Sequence, residues 1–180
     1  MLQGKPPSLI LYLWPGNIKM TESLIVAGKN ATKKEKYELL MPQLTALVEG
    51  EKDVIANLAN LMAALKEAMG FLWIGVYFVK ENDLVLGPFQ GPLACTRIPF
   101  GKGVCGKAWQ ERKTIIVPDV DQYPGHIACS SLAKSEIAVP VYKNDEVKLI
   151  IDADSEQLST FDETDQHYLQ SIAGLIESLL

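Results

Sequence analysis

The hydrophobic period changes at Gly70, and that change limits the folds open to the chain. Before it, Tyr37, Leu40, Met41, Leu44, Leu47 and Val48 recur at helical spacing. Val54, Ile55, Leu58, Leu61, Met62, Leu65 and Met69 repeat the pattern up to Gly70, a good C-terminal helix cap. Two amphipathic helices are expected, with Pro42 breaking or restarting the first. After Gly70 the pattern is strand-like. Leu72 to Val79 is β-branched and aromatic, Asn82-Asp83 supplies a turn, and Leu84 to Phe89 returns as a hairpin partner. Leu93 to Ile98 reads as a short strand, Val104 to Glu111 as a short helix, Thr114 to Val117 as a strand and Pro118 to Lys134 as a long loop. Glu136 to Tyr142 and Val147 to Ala153 form a second hairpin about Asn144-Asp145. Thr160 with Glu163 reads as the capping box of a last helix striped with Leu169, Ile172, Ala173, Ile176 and Leu179. Helices, then antiparallel strands with one inserted helix, then a helix, argue for an α+β fold. Its helices should cover one face of the sheet and leave the other to a ligand pocket.

At 180 residues the chain suits one domain with an arm. Residues 1–19, rich in Pro and Gly and without period, are expected to be a dispensable N-terminal arm, and 20–180 the domain. A composition 48% hydrophobic and 22% charged supports a packed core. Twenty-two acidic against 17 basic residues, with no Lys/Arg cluster, exclude a nucleic-acid partner. The run Leu9 to Trp14 is too short for a membrane anchor or a signal peptide, so no membrane partner and a cytoplasmic location are expected. Three cysteines, Cys95, Cys105 and Cys129, cannot all pair internally and leave reactive, ligating or buried thiols as options.

Three constellations bear on chemistry. Gly101 to Gly106 matches GxGxxG, but the helix that follows is too short for a dinucleotide crossover and no second βαβ unit follows, so a turn and helix start is the better reading. Cys95, Cys105, Cys129 and His126 offer zinc-type ligands, yet only His126 and Cys129 are closely spaced; no metal and no cofactor are expected. Cys95 and Cys129 stand in Gly-flanked or polar contexts, which favours redox chemistry over burial. The third constellation emerges from strand parity. Leu72, Ile74, Val76 and Phe78 share one face with Ile137, Val139, Val141, Leu149, Ile151 and Ala153, whereas Trp73, Tyr77, Glu136, Asp152 and Asp154 fall on the other. Aspartates are poor strand formers, and setting them beside Trp and Tyr suits a pocket for a cationic ligand better than a solvated face.

At these residues the sequence resembles the free methionine-(R)-sulfoxide reductases, which are built on a GAF domain. The resemblance rests on Leu93-Ala94-Cys95-Thr96-Arg97-Ile98-Pro99, Gly101-Lys102-Gly103-Val104-Cys105-Gly106, Gly125-His126-Ile127-Ala128-Cys129, Ser135-Glu136-Ile137 and Ile151-Asp152-Ala153-Asp154-Ser155, together with Trp73 and Tyr77. It runs from about Thr21 to the C-terminus. The resemblance implies a single GAF (PAS-like) domain with a six-stranded antiparallel sheet, a homodimer, and thioredoxin as reductant. It implies Cys129 as the nucleophile, Cys95 as the principal resolving thiol and Cys105 as a secondary one. Trp73 and Tyr77 would hold the substrate's methyl and side chain; Glu136, Asp152 and Asp154 would bind its ammonium and help protonate the sulfoxide oxygen. Clustered acids in a closed pocket hold a proton by mutual repulsion and desolvation, as that step needs. The alternative is a GAF sensor that binds a small ligand and catalyses nothing.

Overall fold

A computed structural model describes residues 11–13, 19–21, 23–127 and 129–180. Most of the arm, residues 1–10 and 14–18, lies outside the described residues. Leu11–Leu13 (β1) and Lys19–Thr21 (β2) pair antiparallel in a two-stranded sheet. The remaining elements are α1 (Lys33–Val48), α2 (Val54–Met69), β3 (Trp73–Lys80), β4 (Asp83–Gln90), β5 (Arg97–Pro99), α3 (Gly103–Glu111), β6 (Ile115–Val117), β7 (Ser135–Lys143), β8 (Glu146–Ser155) and α4 (Glu163–Leu179). A six-stranded sheet of order β5-β4-β3-β8-β7-β6 has antiparallel neighbours throughout. The fold is the expected α+β arrangement.

Parity sorts the two faces of the sheet. Ile74, Val76, Ile137, Val139, Val141, Leu149, Ile151 and Ala153 pack with buried residues of α1, α2 and α4, among them Leu40, Leu61, Leu65, Leu169 and Ile176. Trp73, Tyr77, Ala138 and Ile150 face the other way and pack with Val104, Cys105 and Ala108 of α3. The inserted helix therefore covers part of the face expected to be left to the pocket. Asp165 ties α4 to α1: its buried carboxylate accepts from Tyr37 Oη at 3.0 Å and pairs with Lys33, whose ammonium also meets Asp162 at 2.8 Å. Among the described residues no helix is long and apolar enough to cross a membrane.

Several local expectations need correction. Helix α1 runs through Pro42 without a break. The missing donor falls on the exposed side, where Glu38 and Pro42 face solvent, while buried Leu40 and Leu44 on either side keep the axis against the core. Gln43 adds a side-chain bond to the Leu39 carbonyl at 2.9 Å. The last helix is capped by Asp162 with Asp165, because Thr160 is occupied with Ser155 Oγ and the Gln157 carbonyl. Phe161 can then point inward onto Phe71, with ring centroids 5.5 Å apart. Leu93 to Thr96 is loop, and β5 begins only at Arg97. The long loop contains a 3-10 turn at Val120–Gln122.

Gly106 and Gly75 are among the glycines required by close approach. Gly106 lies so near the Pro99 carbonyl that a Cβ would stand 2.7 Å from its oxygen, so the GxGxxG run is a tight helix start against β5. At Gly75, a Cβ would fall 2.3 Å from Trp73 Cη2 and 2.5 Å from Phe89 Cβ. Gly75→Ala should therefore destabilise the domain by about 2 kcal/mol, because both neighbours belong to a packed aromatic stack. Urea unfolding checks this; an unchanged midpoint would mean that Trp73 has room to move.

Candidate active site

The sheet register brings the acids together. Along one row Trp73 stands opposite Asp154, Asp154 opposite Glu136, and Glu136 opposite Val117; in the next, Gly75 meets Asp152 and Asp152 meets Ala138. Directly opposite residues carry Cβ atoms about 5 Å apart, so β7 and β8 hold the three carboxylates as one cluster. Above them, α3 lowers Cys105 into contact. Its thiol donates to Glu136 Oε1 at 3.7 Å, and its sulfur lies within 4.8 Å of a carboxylate oxygen from each of Glu136 and Asp152. His126 Nε2 reaches Glu136 Oε2 at 3.6 Å from the long loop.

Burial sets the protonation of this cluster. Glu136 and Asp152 are each only 6% exposed. Desolvation, followed by the charges of Asp152 and Asp154, holds the Glu136 carboxyl well above its ordinary range. Desolvation raises Asp152 to about 6 and, with Asp152 beside it, Asp154 to about 8. Cys105 is pushed up by burial and by the same acids, so it is a neutral thiol. Burial lowers His126, leaving a neutral imidazole beside Glu136. One oxygen of Asp152 is buried without a partner among the described residues. A cluster that keeps protons near neutrality and presents an unpaired acceptor is built for a cationic or proton-accepting ligand.

Over the acids, Cys95 and Cys129 are joined in a disulfide, Cα to Cα 5.2 Å. Each comes from a loop that the sheet pins down. Tyr77 Oη donates to the Cys95 carbonyl at 3.1 Å, and the Thr96 carbonyl accepts from Leu86. The Cys129 loop is tied at its ends by Val120 N to the Lys134 carbonyl and Lys134 N to the Ser155 carbonyl. Beneath the disulfide is a cavity of about 20 Å³ lined by Ile98, Cys105, Cys129, Glu136, Asp152 and Asp154, among others. That volume admits about one water molecule.

The sequence-named residues thus divide. Cys129, Cys105, Glu136, Asp152 and Asp154 line the cavity, and Cys95 is held to it through its bond to Cys129. Trp73 and Tyr77 are not part of that lining: Trp73 stacks between Tyr77 and Phe89, at 5.9 and 5.4 Å, and its indole N–H has no partner among the described residues. The zinc-type quartet does not assemble, since Cys95 and Cys129 bond each other and His126 turns to Glu136. Sequence spacing links His126 to Cys129 and does not single out Phe89. Register would have found Phe89, which pairs with Gly75 across the first hairpin.

Comparison with known proteins agrees with this geometry. The GAF domain model matches residues 49–180. GAF domain-containing protein A of Dictyostelium discoideum is 54% identical over 88% of this chain and all of its own length. The free methionine-R-sulfoxide reductase of Saccharomyces cerevisiae is 43% identical over 83% of this chain and 88% of its own. The X-ray structure of free methionine-R-sulfoxide reductase from Neisseria meningitidis in complex with its substrate superposes with a TM-score of 0.84 at 49% identity, covering 87% of this chain and 95% of that one. The chain belongs to the GAF-domain free methionine-R-sulfoxide reductase family.

In this family member the acid cluster carries a stability cost that depends on pH. A carboxyl whose pKa is raised on folding binds its proton more tightly in the native state, so stability falls as pH climbs from the unfolded value near 4 to the folded value. For Asp154 that window extends to about 8. The oxidised protein should accordingly lose thermal stability between about pH 4 and 8. Asp154→Asn should flatten that slope and raise the melting temperature at pH 9 by about 5 °C, with little change at pH 4. Parallel melting curves for variant and parent would show that Asp154 is not held protonated.

Proposed function

We propose that this protein reduces free methionine-(R)-sulfoxide to methionine, with Cys129 as nucleophile, Cys95 as principal resolving thiol and Cys105 as a secondary one. The observation that carries the reading is the Cys95–Cys129 disulfide seated over Glu136, Asp152 and Asp154. A sulfoxide sulfur is electrophilic, but its oxygen departs only when protonated, so a thiolate and a carboxylic acid must meet at one atom pair. The Cys129 thiolate attacks sulfur, protonated carboxyls of the cluster give two protons to oxygen, and the S–O bond breaks to release water and leave a sulfonium bonded to Cys129 Sγ. Water then attacks Cys129 Sγ, the S–S bond breaks with its electron pair on the methionine sulfur, and one proton returns to the cluster, leaving methionine and a Cys129 sulfenic acid. Cys95 then displaces water to form the disulfide, which forestalls further oxidation. Glu136 and Asp154 serve as the acids. Asp152 and its neighbours pair the substrate ammonium, and Trp73 with Tyr77 flanks the methyl group and side chain once the loops part.

That parting follows from size. A cavity of about 20 Å³ cannot take methionine sulfoxide, so the disulfide must be reduced before substrate enters. The order is ping-pong: dithiol first, sulfoxide second. Thioredoxin supplies the dithiol, the enzyme works in the cytoplasm as a homodimer, and residues 1–19 are a dispensable arm whose removal leaves turnover unchanged. A sensor would have no use for a disulfide closing its pocket. The test is direct: with dithiothreitol, and then with thioredoxin, thioredoxin reductase and NADPH, the chain should convert the free R sulfoxide to methionine and largely spare the S epimer. Binding without product would return the chain to the sensor reading.

A further inference from the structure

The two segments that carry the half-cystines contain no charged side chain. Leu93 is 89% exposed and Leu132 is 54% exposed. They stand two and three residues from Cys95 and Cys129, so their Cα atoms lie within about 8 and 12 Å of the half-cystines. Neither 91–96 nor 125–133 contains an Asp, Glu, Lys or Arg, although stretches of that combined length in a chain 22% charged would ordinarily carry several. Charges resume at the edges as closed pairs, Arg97 with Asp83 at 3.3 Å and Lys134 with Asp121 at 3.1 Å. A single exposed leucine is ordinary. Two of them close in sequence to a partly exposed disulfide, within charge-free segments whose flanking charges are paired, have the anatomy of an interface core.

The bond itself fixes the occupant. Whatever reduces Cys95–Cys129 must bring a thiolate against one of its sulfurs, and a protein that does so covers this zone. Resting on the reading that a protein dithiol recycles the enzyme, we infer that Leu93 and Leu132 are the apolar anchors of its docking surface. In the docked pair the partner's thiolate attacks one half-cystine, forming an intermolecular S–S bond and releasing the other cysteine, which takes up a proton. The partner's second thiol then attacks its own sulfur in the mixed disulfide, so the enzyme leaves as a dithiol and the partner as a disulfide. Two electrons and two protons pass in all. A small dithiol needs no such surface.

That contrast supplies the experiment. The oxidised full-length chain and its Leu93→Asp, Leu132→Asp and double variants are reduced by thioredoxin, kept reduced by its reductase and NADPH, and separately by dithiothreitol. Methionine formation in one turnover from the pre-reduced chain is recorded alongside. The double variant should lose about tenfold in kcat/KM for thioredoxin, each single variant less, with the dithiothreitol rate and the single turnover unchanged. Should aspartate disturb the loops, Leu93→Ala with Leu132→Ala asks the same question at a smaller loss. Equal losses with both reductants would assign the leucines to the substrate site, and no loss with either would put docking elsewhere; each overturns the inference. Thioredoxin failing on the parent chain would instead refute protein-dithiol recycling, and the docking surface with it.

Discussion

Cys129→Ser should lose reduction of free methionine-(R)-sulfoxide by at least about a thousandfold, since a hydroxyl at that position is neither ionised near neutrality nor comparably nucleophilic toward sulfur. Cys95→Ser should behave differently. It keeps the attacking thiol and the acids, so it should release one equivalent of methionine per chain and then stall with Cys129 as a sulfenic acid, detectable by a dimedone adduct. Any slow turnover that remains should depend on Cys105, which lines the same cavity but is a neutral thiol donating to Glu136. Burst kinetics on the two variants distinguish the roles. A Cys129→Ser enzyme that still turns over, or a Cys95→Ser enzyme with no first turnover, would reverse the assignment.

The second large effect concerns the substrate's amino group. On the proposed roles, free methionine sulfoxide would bring an ammonium to Glu136, Asp152 and Asp154, whereas an N-acetylated or peptide-bound residue would bring a neutral amide and extra bulk. A site with buried groups placed to pair one function discriminates strongly against analogues that lack it, because those groups stay unpaired. Among the described residues one buried oxygen of Asp152 has no partner. The N-acetyl and peptide substrates should therefore fall by about a thousandfold or more in kcat/KM. Comparable rates on free and N-acetylated sulfoxide would refute ammonium pairing even in an active reductase. Asp152→Asn should narrow the gap, chiefly by weakening the free substrate.

What was legible beforehand followed from short-range rules. Alternation along β3, β7 and β8 separates Ile74, Val139 and Ile151 from Trp73, Glu136 and Asp152 whatever surrounds the strands, so the acidic face could be read residue by residue. Tertiary choices were not legible in that way. Pro42 stays within α1 because packing at Leu40 and Leu44 outweighs one lost backbone bond. The cap of α4 moves to Asp162 because Thr160 is already bonded to Ser155 and Gln157. The approach of Cys95 to Cys129, 34 residues apart, depends on two loops anchored to different strands; the residues alone left redox, ligating and buried thiols open, and family resemblance supplied the pairing. His126 reaches Glu136 for the same reason, through a loop path that no periodicity encodes.

The central claim is that one sulfoxide oxygen is exchanged for one Cys95–Cys129 disulfide. Fully reduced chain, mixed with one equivalent of free methionine-(R)-sulfoxide and quenched in acid with an alkylating reagent, allows thiols and products to be counted together. Three thiols should become one, one methionine should form per chain, and mass spectrometry should find Cys95 linked to Cys129 with Cys105 alkylated. Three thiols retained while the sulfoxide is bound unchanged, or a stoichiometric disulfide that leaves out Cys129, would contradict it.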